Sequence, residues 1–209
     1  MCSLKLQAYL ISSRVSKKNN TSSITSYNIM KFKKQDFHAI IRMHFAHIMN
    51  AYRKSMRIDD AYMTEALKEA KKAFDADEVP VGTVIVKDGR VIARAHNQIR
   101  LLKDPTAHAE IIAITEAAAY LHNERLLNTT MYVTVEPCTM CAGALVLARV
   151  KRLVFGASDP KTGAFGSVLD ITEKRLNHTL SITKGVLEDE CRSILRDFFK
   201  KKRPVKPID

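Results

Sequence analysis

The chain has 209 residues, 46% of them hydrophobic, with 34 Lys and Arg against 22 Asp and Glu for a formal charge of +12. That length and apolar content can bury the core of one ordinary domain with an appendage, and no apolar run approaches the roughly 18 residues needed to cross a bilayer. Of four cysteines, Cys2 and Cys191 are isolated and only Cys138 and Cys141 form a spaced pair, which argues against a disulfide framework.

The charge is unevenly spread. Residues 1–55 carry ten basic side chains and one acid, Asp36, while residues 56–209 carry 24 basic against 21 acidic side chains. The high overall charge is therefore weak evidence for nucleic-acid binding. A more local sign is the terminal group Arg196, Lys200, Lys201, Lys202, Arg203 and Lys206. With no secretory pattern, the expected compartment is the cytoplasm, or an organelle if residues 1–55 are a transit peptide.

Two segments are expected, an extension over 1–55 and a domain over 56–209. The extension opens with the polar stretch "SSRVSKKNNTSSITS", followed by a helix-periodic run from Phe37 to Tyr52. It reads as a transit peptide, a basic arm, or sequence upstream of a start at Met56, and the third fits best. His38, His44 and His47 read as ordinary helix-face histidines rather than a metal cluster.

From there the elements follow in order. Asp59 or Asp60 is a good cap for a helix with the stripe Met63, Ala66, Leu67, Ala70 and Phe74. "VGTVIV" and "RVIARA", joined by "KDG", read as a β-hairpin. "AEIIAITEAAAYL" is a buried helix, "TMYVTV" a strand, "MCAGALVLARV" a helix, "RLVFGA" a strand, "SITKGV" another, and "EDECRSILRDFFKKK" a closing helix. Strands alternating with helices after an initial hairpin predict a single mixed sheet, α/β in class, with helices on both faces.

Two motifs each open a buried helix, "TAHAE" and "EPCTMC". Cys138 and Cys141, three apart in a first helical turn, share a face, so both sulfurs can reach one ion. The partial positive charge of a helix N-terminus favours the thiolate a metal needs, and Pro137 suits a first turn. Alone, this pair fits a redox dithiol equally well. His108 adds a third ligand and leaves a fourth position open, the layout of catalytic zinc.

In mid-helix, positions two apart diverge by about 200°, so His108 and Glu110 can share a site only at a helix entrance. Pro105 and Thr106 supply such an entrance. His108 can then hold the metal while Glu110 stands over the open position.

His-x-Glu with Pro-Cys-x-x-Cys resembles the signature of zinc-dependent nucleobase deaminases. The stretch from Asp60 to Arg203 is similar to the tRNA-specific adenosine deaminase family in particular, through "DEVPVG" (77–82), Asn97 in "HNQ", "DPTAHAE" (104–110), "EPCTMCAGA" (136–144), "FGASDPKTGAFGS" (155–167) and "LNH" (176–178). Residues 1–55 have no counterpart there. The family often carries tryptophan before the asparagine, where this chain has His96 and no tryptophan at all.

That resemblance implies a three-layer α/β/α cytidine-deaminase-like fold around a mixed five-stranded sheet, a homodimer, and one zinc ion per subunit held by His108, Cys138 and Cys141. It implies conversion of a wobble adenosine in a tRNA anticodon stem-loop to inosine, with zinc-activated water attacking C6 and Glu110 shuttling protons. Asn97 would hydrogen-bond the flipped nucleoside, Pro80 and Val81 would line its pocket, and Asp159 would lie near neighbouring nucleotides. Val81 as a plain core residue and Asp159 as a plain turn opener are the alternatives. For the whole protein they are a free-base or nucleoside deaminase and a non-catalytic zinc-containing RNA-binding subunit.

Overall fold

A computed structural model describes residues 34–173 and 175–202, with side chains described outside 34–44 and 52–54. The polar stretch at 12–26, the side chains of His38 and His44, and Arg203 and Lys206 lie outside the described residues. Compactness divides the chain into Met1–Ala46 and His47–Asp209, and apart from the bounds of the first helix everything below concerns the second unit.

The first helix, α1, runs Lys34–Asp75. Neither Asp59 nor Asp60 starts a helix, since no proline or glycine interrupts residues 34–75 and nothing there breaks the backbone ladder. Asp59 is instead buried, taking two hydrogen bonds from the Arg152 guanidinium at 2.8 and 2.7 Å and one from the Tyr132 hydroxyl at 2.9 Å.

The hairpin forms as β1 (Gly82–Lys87) and β2 (Arg90–His96), turning through Asp88 and Gly89, both at positive φ. A four-residue helix, α2 (Ile99–Leu102), precedes α3 (Ala109–Leu121). Then follow β3 (Thr129–Val135), α4 (Thr139–Leu147), β4 (Arg152–Ala157), a single 3-10 turn at Ile171–Glu173, β5 (Ser181–Lys184) and α5 (Glu188–Lys202).

The five strands form one sheet ordered β2-β1-β3-β4-β5, antiparallel across β2-β1-β3 and parallel across β3-β4-β5. Alternation sends Ile85, Met131, Val133, Leu153 and Phe155 to one face, against Ala113 and Ala117 of α3 and Ala142 and Leu145 of α4. Val84, Val86, Tyr132 and Val154 face the other way, against Met63 and Ala66 of α1 and Cys191 of α5. The result is the expected mixed sheet between two helical layers. Gly82 permits the close approach of α1, because a Cβ there would fall 2.1 Å from the Ala66 carbonyl oxygen. Both α3 and α4 begin at the same end of the sheet, where β3 runs out.

Candidate active site

The loop before α3 is built to deliver His108. Asp104 Oδ1 accepts the Thr106 N–H and hydroxyl at 2.8 and 2.7 Å, closing an Asx turn, and those bonds hold its carboxyl below the usual carboxylate range. Buried Glu78 fixes the upstream end, with Oε1 accepting the N–H groups of Arg100 and Leu101 at 2.7 and 2.8 Å. His108 is the N-cap of α3 with extended backbone, and Glu110 lies in the first turn. Their two-residue offset thus spans the helix entrance.

Cys138 repeats this placement as the extended N-cap of α4, with Cys141 in the first turn. Two helix N-termini therefore point their partial positive charge at one spot. The two sulfurs lie 3.8 Å apart, and His108 Nδ1 is 3.7 Å from Cys138 Sγ and 3.5 Å from Cys141 Sγ. Tetrahedral zinc, with Zn–S about 2.3 Å and Zn–N about 2.0–2.1 Å, requires S···S of about 3.8 Å and S···N of about 3.6 Å. The donor set fits such an ion in both spacing and chemistry. The Cys138 thiol is pushed down to about 4, first by its hydrogen bond with Cys141 and also by that with His108. The same Cys138–Cys141 contact, together with burial, pushes Cys141 the other way.

A cavity of about 440 Å³ opens over this trio, within the roughly 300–1,000 Å³ range of small-molecule sites. His108, Cys138 and Glu110 line it, and Glu110 is only 3% exposed. Burial raises the Glu110 carboxyl, a shift only partly opposed by its own backbone amide and His108.

Asn97 also lines the cavity and is buried. Its Oδ1 accepts the Ala109 N–H at 2.8 Å, which fixes the amide orientation and leaves Nδ2 as the donor available to a ligand. Val81 lines the cavity. Pro80 is buried and is not among the lining residues; Val79 takes that place, since the chain enters β1 with alternate side chains turned inward. Asp159 borders the cavity, but its carboxylate turns back on its own loop, accepting the Lys161 N–H at 2.9 Å and bonding the Thr162 hydroxyl.

Several lining residues are not singled out from the sequence. Lys161 and Thr162 come from the loop after β4, and Leu195 and the 49% exposed Phe199 come from α5. The terminal basic group is partly committed: Lys202 pairs with Asp77, and Lys201 lies over the Phe74 ring at 5.6 Å.

The family model described as MafB19-like deaminase matches residues 58–203. A tRNA-specific adenosine deaminase from Haemophilus influenzae is 50% identical over 163 residues, 77% of this chain and 94% of the relative. Its counterpart from Bacillus subtilis is 49% identical over 152 residues, 72% and 94% of the two chains. A solved structure from biochemical and structural studies of A-to-I editing by tRNA:A34 deaminases at the wobble position is 48% identical, with a TM-score of 0.63, covering 65% of this chain and 99% of that one. With a sheet, two converging helix entrances and a His-Cys-Cys trio in place, and with relatives this close over most of the domain, the chain belongs to the tRNA-specific adenosine deaminase family, within the MafB19-like deaminases.

Proposed function

We propose that this protein converts adenosine to inosine by hydrolysis at the wobble position of a tRNA anticodon, acting as a homodimer with one zinc ion per subunit. The observation that carries the reading is the buried Glu110 on the wall of a cavity that His108 and Cys138 also line, with Cys141 completing the donor trio behind them. That is a proton-transfer group beside a metal site with an open face. Zinc bound there would lower the pKa of a water molecule to near neutrality and so supply the nucleophile.

The remaining steps belong to the chain's own side chains. Asn97 Nδ2 donates to the base and holds it in register, while Val79 and Val81 cover its apolar face. Glu110 takes one proton from the attacking water and delivers it to N1 as C6 is attacked, then moves the remaining proton of the new C6 hydroxyl to the 6-amino group, which departs as ammonia while C6–O becomes the carbonyl. The base must leave the anticodon stack to reach this depth, at a cost of a few kcal/mol that is smaller in a loop than in a duplex. Lys161 at the rim is placed for a phosphate of a flanking nucleotide. The exposed apolar side chains Leu101, Leu102 and Leu147 support coverage by a second copy.

The test is inosine formation on an anticodon stem-loop beside free adenosine, cytosine and guanine, with zinc content measured on the same sample. Turnover of the stem-loop is expected. Turnover of the free bases alone would replace this reading with a free-base deaminase.

A further inference from the structure

We infer that Glu136 is a positioning residue that fixes the 158–167 loop, one wall of the cavity, to the metal-bearing entrance of α4; the inference rests on the deaminase reading above. Glu136 ends the run from β3 and stands two residues before Cys138. It is 3% exposed, and no cation pairs with it among the described residues. Its charge is instead met by four donors from the loop. Oε1 accepts the N–H groups of Phe165 at 2.8 Å and Ser167 at 3.2 Å, and Oε2 accepts the Asp159 N–H at 3.1 Å and the Ser167 hydroxyl. Both carboxyl oxygens are thus engaged by the one loop.

The backbone around it continues the same seam. The Glu136 N–H donates to the Ala157 carbonyl at 2.8 Å, the Pro137 carbonyl accepts the Ala164 N–H at 3.0 Å, and Cys138 forms an isolated β-bridge with Gly163. Gly163 marks how tightly the loop closes: a Cβ there would lie 2.5 Å from Glu136 Cδ and 2.6 Å from the Asp159 carbonyl oxygen. The loop presents Ser158, Lys161 and Thr162 to the cavity. The rim meant for the RNA and the ligand Cys138 are therefore held by one side chain, and Glu136 sets their spacing without touching a reacting atom.

Glu136→Gln isolates this role. The amide keeps an acceptor for Phe165 and Ser167, but on the other edge it sets an NH₂ against the Asp159 N–H, so that part-buried amide loses its partner. The expected result is faster hydrogen exchange at the Asp159 amide and weaker stem-loop binding, each by about tenfold. Zinc should stay at one per chain, and the loss should fall on KM rather than kcat. Gly163→Ala, which presses on the same carboxylate, should shift the same two readouts in the same direction. Unchanged Asp159 exchange and stem-loop affinity in Glu136→Gln would overturn the inference, as would a loss confined to kcat. Exchange and zinc content are read without substrate, so a wild-type protein that fails to deaminate the stem-loop would sink the function and leave this result standing on its own.

Discussion

The side-chain oxygen of Asn97 accepts the backbone N–H of Ala109 at 2.8 Å, so the residue proposed to hold the substrate also braces the helix entrance that carries His108 and Glu110. One amide therefore serves two ends, acceptor inward and donor outward. Asn97→Asp keeps the acceptor and removes the donor. It should retain zinc and melting temperature while kcat/KM on the stem-loop falls about 10- to 100-fold. Asn97→Ala loses both ends and should in addition destabilise the fold by about 1–3 kcal/mol, read by urea denaturation. An aspartate variant with wild-type turnover would show that Nδ2 does not contact the base.

In the proposed reaction Glu110 is the group that separates an enzyme from a zinc-stabilised scaffold. Glu110→Gln preserves its volume and removes its ability to accept and return a proton. Turnover should fall about 10²- to 10⁴-fold, with the metal content unchanged. Inosine formation at the wild-type rate would remove the proton shuttle from the reaction.

Metal removal should act on structure as well as on turnover, because His108 and Cys138 occupy the N-cap positions of two different helices. An ion joining them ties the entrances of α3 and α4 together. At a free metal concentration 1,000 times Kd the stabilisation is about 4 kcal/mol, or about 8–16 °C in Tm for a domain of this size. Chelation should produce that drop and readdition of zinc should reverse it. Cys138 and Cys141 should resist alkylation only in the loaded protein; equal reactivity with and without zinc would favour a redox dithiol.

Features written in adjacent residues were legible in the sequence, and features that depend on distant pairing were not. The hairpin, the two buried helices and the His-Glu and Cys-Cys spacings are local, since turn chemistry, periodicity and the helix entrance all lie within a few residues. Asp59 has the form of a helix cap, yet its partner Arg152 stands 93 residues away, and no local signal announces it. Glu136 is likewise satisfied by donors 23 to 31 residues on. Asp159 illustrates the opposite case, where the ordinary reading of Asp-Pro as a turn opener describes what its carboxylate does. Pro80 and Val79 differ by one position, and the path of the chain just before β1, where the Val81 N–H bonds the Val79 carbonyl at 2.7 Å, puts Val79 on the cavity.

The Asp59 and Arg152 pair ties α1 to the sheet over a long stretch of sequence, joining it to β4 directly and to β3 through the Tyr132 hydroxyl. Burial, and the hydrogen bond to Asp59, hold the Tyr132 hydroxyl protonated far above the usual phenol range. Arg152→Met would leave Asp59 buried without its cation, at a cost of about 3–5 kcal/mol. Adding Asp59→Asn should recover part of that loss, because the stranded charge is then gone. Chemical denaturation of the two singles and the double gives the coupling, and strict additivity would mean that the pair contributes nothing beyond its separate contacts.

Lys161 lies on the rim of the cavity, with no ion pair among the described residues. A phosphate contact there would release counterions on binding, so affinity should fall with salt by a slope set by the number of such contacts. Lys161→Ala should raise KM for the stem-loop and reduce the magnitude of the salt slope by about 0.7, the value for one contact on a single strand. It should leave zinc content and melting temperature unchanged, since the loop is held through Glu136 and not through this side chain. Repeating the measurement with Lys202→Ala separates rim from tail: Lys202 is paired with Asp77 at the far end of α5, so its loss should change stability more than the salt slope. An unaltered slope in Lys161→Ala would place the RNA backbone elsewhere on the surface.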